Sequence, residues 1–207
     1  MKVVVHNING KETEKKVDLS KSVFGIEPND HALYLDVKQY LAAQRTGTHK
    51  TKERGDVTGS RRKIRKQKGS GAARVGDIKN PLFRGGGRIF GPRPRQYGFK
   101  LNKKVKKLAR KSALTYKAND KNIIVLEDFS FDLPQTKSYV KMLESFDQKN
   151  NKILLVLAES NKNILLSSRN LKKTKVVLAS ELNTYDIMNA NKMMLVESSI
   201  KEIEKFF

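Results

Sequence analysis

The sequence predicts an α/β fold: a mainly parallel open sheet with flanking helices, plus a long basic irregular loop extending from the globular domain. Three observations predict it. Four short, nearly continuous apolar runs, at residues 123–126, 153–157, 176–178 and 193–196, read as strands buried on both faces. Segments with helical spacing lie between them, and strand–helix alternation calls for a layered, mainly parallel sheet. From residue 45 to residue 100 neither period is present; 17 Lys+Arg stand against 3 acids there, and 11 of the 13 glycines fall in the same stretch.

Taken in order, Lys2 to His6 is a short β-rich run. Asn9-Gly10 follows, then a second weak run around Lys16-Val17-Asp18, and Asn-Gly between such runs predicts a hairpin. Asp30 is placed to cap a helix running to about Arg45, with Leu33, Val37, Tyr40 and Leu41 on one face. After the basic stretch, Asn102 is placed to cap a helix reaching Ala118, on which Leu101, Val105, Leu108, Ser112 and Tyr116 recur at spacings of three and four. Its other face carries Lys103, Lys104, Lys106, Lys107, Arg110 and Lys111 with no acid among them, a pattern that serves either solvation or RNA contact. Helical patterns at Thr136–Phe146, Ser160–Leu171 and Asn183–Ala190 separate the apolar runs. Ser199 and Glu202 have capping-box spacing ahead of Ile203 and Phe206, which predicts a last helix. The basic stretch joins two predicted helices, so it is an insertion in a loop and not a tail. The expected division is a globular domain of residues 1–44 and 101–207 and a loop of residues 45–100.

Composition narrows the function classes. The 207 residues carry a net charge of +22, of which the basic stretch supplies +14 (17 − 3). With 38% hydrophobic residues there is material for one core. The absence of cysteine excludes disulfides and thiolate metal sites. His6, His31 and His49 form no ligand-spaced pair, so no metal or other cofactor is expected. No apolar run is long enough to span a membrane, the N-terminus lacks the h-region of a signal peptide, and a cytoplasmic protein is the expectation. A pI near 10.1 also suits an anionic membrane surface, but that needs an amphipathic helix with exposed bulky apolars, which the basic stretch lacks.

The candidate chemistry is thin. Arg84-Gly85-Gly86-Gly87-Arg88 suggests a nucleotide loop, yet it follows Pro81-Leu82-Phe83 and leads into Pro92 and Pro94, which open no helix. The same glycines would let backbone approach RNA phosphates beside Arg84 and Arg88. Glu127, Asp128 and Asp132 follow a strand end, where α/β enzymes place catalytic groups, but no His, Lys or Ser is placed to complete a triad or a general-base pair, and a polar loop is the simpler reading. Asp186 reads as structural. No small-molecule substrate is indicated.

A segment as charged as 45–100 cannot bury enough surface to offset the entropy of ordering it, so its partner supplies the order, and a dense polyanion fits. The binding candidates are Arg45, Lys50, Lys52, Arg54, Arg61, Arg62, Lys63, Arg65, Lys66, Lys68, Arg74, Lys79, Arg84, Arg88, Arg93 and Arg95. Phe83 and Phe90 suit either base stacking or anchoring, while Tyr97 and Phe99, beside the next helix, suit anchoring the loop's return. An excursion of 56 residues, out and back, reaches at most roughly 90 Å at about 3.3 Å per residue.

Several spaced motifs carry a family resemblance. Thr46-Gly47-Thr48-His49-Lys50-Thr51-Lys52, Gln67-Lys68-Gly69-Ser70-Gly71, Phe83-Arg84-Gly85-Gly86-Gly87 and Phe90-Gly91-Pro92-Arg93-Pro94-Arg95, with Leu182 to Ala190 near the end, resemble the large-subunit ribosomal protein L4 family, uL4, in its bacterial form. The resemblance covers essentially the whole chain. It implies a structural constituent of the large subunit, not an enzyme: a globular domain on the solvent side, and a loop threaded through 23S rRNA to the nascent-peptide tunnel, which its tip narrows together with L22. On the matching positions the tip falls at about Arg61 to Arg74, with Arg65, Lys66, Gln67, Lys68 and Gly69 as tunnel-tip residues. Ile64-Arg65 stand where many members carry a Pro-aromatic pair. Two rival functions are an RNA-modifying enzyme, which would need a cofactor loop at a strand end, and an mRNA-binding autogenous regulator, a role some bacterial members of the resembled family also play.

Overall fold

In the computed structural model, which describes residues 1–206, six strands form one sheet in the order β2-β1-β3-β6-β4-β5. Strand β1 (Lys2–His6) pairs antiparallel with β2 (Glu12–Asp18), closing the hairpin expected at Asn9-Gly10, where Gly10 takes φ 78°. Every other pairing is parallel: β1 with β3 (Ile123–Leu126), β3 with β6 (Lys192–Val196), β6 with β4 (Ile153–Leu157) and β4 with β5 (Thr174–Leu178).

The apolar runs are continuous because both faces of the central strands are covered. Val125, Leu154, Val156, Met193 and Leu195 point to one face and meet Val23, Phe24, Ala113, Leu114, Ile187, Ile200 and Ile203. These come from α1 (Lys21–Phe24), α3 (Lys103–Asn119), α6 (Thr184–Asn189) and α7 (Glu197–Phe206). The intervening residues Leu126, Ile153, Leu155, Met194 and Val196 point the other way, onto Tyr139, Met142 and Leu143 of α4 (Thr136–Ser145) and Ile164 of α5 (Lys162–Ser168). The remaining helix, α2, spans Asp30–Ala43 and buries Ala32, Leu33 and Asp36. A short 3-10 turn at Ala179–Glu181 follows β5. No helix among the described residues is long and apolar enough to cross a membrane.

Several local expectations need correction. Asn29, not Asp30, caps α2: its Oδ1 accepts from Ala32 N at 2.9 Å, while Asp30 Oδ1 accepts from the Tyr116 hydroxyl at 2.6 Å. Leu41 and Leu108, both assigned to apolar faces, are exposed at 43% and 38%. The buried face of α3 keeps the expected Ser112 and otherwise consists of Ala109, Ala113, Leu114, Thr115, Lys117 and Ala118; alanines let the helix lie close to the sheet, and a reading weighted to bulky residues passes over them. The final helix starts at Glu197, directly after β6, so Ser199 is inside it and donates its hydroxyl to Val196 O at 2.6 Å; Glu202 pairs with Lys205, and the capping box does not form. Helix α5 is shorter than its pattern and is capped by Asn161, which accepts from Asn163 N and Ile164 N.

One buried polar link ties distant parts of this domain together. Thr184 Oγ1 donates to Asp36 Oδ2 at 2.5 Å, joining α6 to α2, with Thr184 and Asp36 both buried. Beside it Tyr40 and Tyr185 stack with centroids 4.9 Å apart. Thr184→Val removes the donor and leaves a buried carboxylate short of a partner, so a loss of about 2 kcal/mol is expected. Chemical denaturation of Thr184→Val and of the double variant with Asp36→Leu checks this: the double variant recovers much of the loss if the penalty is the orphaned acceptor, and recovers none if the hydroxyl only fills space.

The chain divides into two units, Met1–Leu41 with the chain from Lys100 onward, and Ala42–Phe99.

Candidate nucleic-acid interface

Within the second unit, residues 45–99 contain no helix or strand. The two legs are nonetheless held to one another. Arg95 N donates to Gly47 O at 3.2 Å, Thr51 N to Pro92 O at 3.0 Å and Arg88 N to Lys52 O at 2.9 Å. Farther along, Ile64 N donates to Gly76 O at 3.0 Å, and Gly87 N to Lys79 O at 3.0 Å. Two glycines permit this approach. Gly47 takes φ 66°, and a Cβ on Gly87 would collide with the Arg54 backbone nitrogen. Part of the Gly85-Gly86-Gly87 run therefore serves packing of the segment against itself, while Gly85 (φ 85°) faces open space.

The three acids of the stretch are all consumed internally. Lys50 pairs with Asp56 at 2.9 Å, Arg54 with Asp77 at 2.9 Å and Arg93 with Glu53 at 2.6 Å. The Asp56 hydrogen bond holds the Lys50 ammonium above its ordinary pKa, and the Lys50 hydrogen bond holds the Asp56 carboxyl below its own. The unmatched charge that remains facing outward is cationic. Of the sixteen candidate basic residues, fifteen are exposed; Lys79 is buried at 7%, its stem lying over Gly59.

Tyr97 bridges the two legs of the stretch. The Arg45 guanidinium lies 3.7 Å and that of Arg95 4.6 Å from its ring centre, and its hydroxyl meets His49 Nε2 at 3.1 Å. It clasps the outgoing and returning legs, and the Arg95 hydrogen bond keeps its hydroxyl below the usual tyrosine pKa. Phe90 is 99% exposed, and Leu82, Ile89 and Ile64 are also exposed, so bulky apolar groups stand among the cations. At the expected tip, Gly69 (φ 77°) and Gly71 (φ 61°) turn the chain in open space, and Lys63 bonds to Gln67.

In the first unit, α3 presents Lys103, Lys104 and Lys107 to solvent, with Lys106, Arg110 and Lys111 half-buried. The carboxylates after β3 are held by neighbours: Glu127 by Lys15 at 3.2 Å and Asp128 by the Ser198 hydroxyl at 2.5 Å. Asp186 accepts from Lys175 at 2.6 Å and from Asn183 at 2.7 Å. No His, Cys, Asp and Glu group with metal-holding geometry occurs among the described residues.

A model of the Ribosomal protein L4/L1 family matches residues 17–206. The chain belongs to that family. L4/L1 relatives named Large ribosomal subunit protein uL4 match along almost their whole length. That of Flavobacterium johnsoniae is 62% identical over 205 residues, covering 99% of this chain and 98% of its own. Those of Christiangramia forsetii and Amoebophilus asiaticus are 61% and 56% identical, each over at least 99% of this chain. Two features of this L4/L1 chain were missed in sequence reasoning: the clasp at Tyr97 and the internal pairing of the acids. Both join residues tens of positions apart. The one local signal was aromatic Tyr97 lying two residues from Arg95. Also missed was a cleft of about 370 Å³ at the start of β4 and β5, where Lys152, Lys172, Lys173 and Lys175 gather from two separate segments.

Proposed function

We propose that this chain is a structural constituent of the large ribosomal subunit, cytoplasmic, that binds 23S rRNA through residues 45–100 and the basic end of α3. Its tip residues Arg65, Lys66, Gln67, Lys68 and Gly69 reach the nascent-peptide tunnel beside L22. The observation that carries the RNA-binding reading is charge placement: every acid in the stretch is matched by a cation of the same stretch, while fifteen of the sixteen candidate cations stay exposed on irregular backbone. Such a surface suits phosphates, to which Arg offers bidentate contacts and Lys a mobile point charge. The names of the relatives support placement in the large subunit rather than an RNA-modifying activity.

The test is cosedimentation of the tagged chain from cells at high salt. The expected result is near-stoichiometric recovery with large subunits, retained after a wash that strips loosely bound basic proteins. Recovery only in the soluble fraction, or only with messenger RNA, would overturn it.

A further inference from the structure

Two residues of the returning leg project from a backbone that is tied down on either side of them. Before them, Arg88 N donates to Lys52 O at 2.9 Å; after them, Pro92 O accepts from Thr51 N at 3.0 Å. The glycines beside these bonds lie flush against the outgoing leg: a Cβ on Gly87 would collide with Arg54 N, and one on Gly91 with the Thr51 side chain. Between the two fixed points Ile89 and Phe90 are 61% and 99% exposed. Phe83, on the other side of the glycine run, is only 36% exposed. An anchor is covered by what it anchors, so Phe90 anchors nothing within the segment.

An aromatic ring in water gains free energy when it is covered. Here the tied backbone leaves little ordering entropy to be lost in the process. The surroundings select the cover. Arg88 and Arg93 flank Phe90 in sequence, and both are exposed. Glu53 neutralises Arg93, while Arg88 takes part in none of the ion pairs of the stretch. An apolar protein pocket would cover the ring and leave the Arg88 guanidinium unmatched. RNA supplies both halves, a phosphate for the guanidinium and a flat base face for the ring. The base must be unpaired, because a paired A-form helix keeps its base faces stacked on one another. We propose that Phe90 is a fixed stacking prong for one unpaired RNA base, with Arg88 on the adjoining phosphate. This rests on the RNA-binding reading above and adds to it a contact with a base.

The experiment uses the full chain and two RNA probes of equal length, a single-stranded oligonucleotide of mixed sequence and a blunt duplex. A mixed sequence is suitable because every base has a π face on which to stack. Phe90→Ala should bind the single strand roughly tenfold more weakly. The slope of log affinity against log salt should not change, because a stacked base releases no counterion. Duplex binding should stay within about twofold of wild type. Phe90→Leu keeps apolar bulk without the flat ring, so it should also bind the single strand more weakly than wild type. Phe90→Trp should keep full affinity. The chain has no tryptophan of its own, so the fluorescence of that variant reports the site: the single strand should quench it and the duplex should not. Single-strand binding equal to wild type in Phe90→Ala or in Phe90→Leu, or an unquenched tryptophan, would overturn the prong while leaving RNA binding through the cations intact. Failure of the wild-type chain to bind either probe would instead sink the broader reading.

Discussion

A chain in which residues 45–100 are replaced by a short Gly/Ser linker will still unfold in one cooperative transition, and will lose most of its salt-sensitive affinity for RNA. All six strands and both apolar clusters lie outside the deleted stretch, so the sheet domain keeps its core. A short linker is enough because Arg95 N and Gly47 O already hold the two legs together at their base. Of the 17 basic residues removed, three are matched by acids and Lys79 is buried, which leaves 13 exposed and unmatched. If about half of those meet phosphates, the slope of log affinity against log salt is roughly −5 for the intact chain. The linker variant retains the cations of α3 and should fall to roughly −1 to −2. Salt titration of binding to a large-subunit rRNA fragment measures both slopes. An unchanged slope would place the RNA contacts elsewhere, and loss of the cooperative transition would show that the sheet domain needs the stretch to fold.

Leu195→Ala should destabilise the protein by about 3–4 kcal/mol and lower Tm by about 10 °C. Leu195 is fully buried in β6, the strand between β3 and β4, in register with Val125 on one side and Val156 on the other. The surrounding strands are pinned by parallel ladders, so the site collapses little and the cavity persists. Leu108→Ala is the control: Leu108 is 38% exposed on α3, and its loss should stay within about 0.5 kcal/mol. Urea denaturation of the two variants gives the comparison. Equal costs would mean that α3 buries Leu108 against something other than the sheet. Salt dependence of RNA binding should be unaffected in Leu195→Ala, since the residue is far in the chain from the basic stretch and packs only in the sheet core.

The sequence by itself determined the class of fold and the character of the site. Ile123–Leu126 and Ile153–Leu157 had to be buried on both faces, because unbroken apolar runs leave no face for water. The hairpin at Asn9-Gly10 was legible because turn chemistry is local. So was the cationic character of residues 45–100, since charge and missing periodicity need no partner to be read. What required the tertiary structure was everything set by pairing across long separations. The order β2-β1-β3-β6-β4-β5 puts β6 in the middle of the sheet although it is last in the chain, and its local sequence does not say which strands it lies between. The buried stripe of α3 includes Ala109, Ala113, Leu114 and Ala118 but not Leu108, because closeness to the sheet, and not side-chain bulk alone, decides which residues are covered. Within the basic stretch, Arg54 and Asp77 stand 23 positions apart and Arg93 and Glu53 stand 40 apart. Composition counts those acids and cations as a net charge; only the folded legs, brought together by backbone hydrogen bonds and by glycines that tolerate the approach, decide which charges cancel and which stay outward.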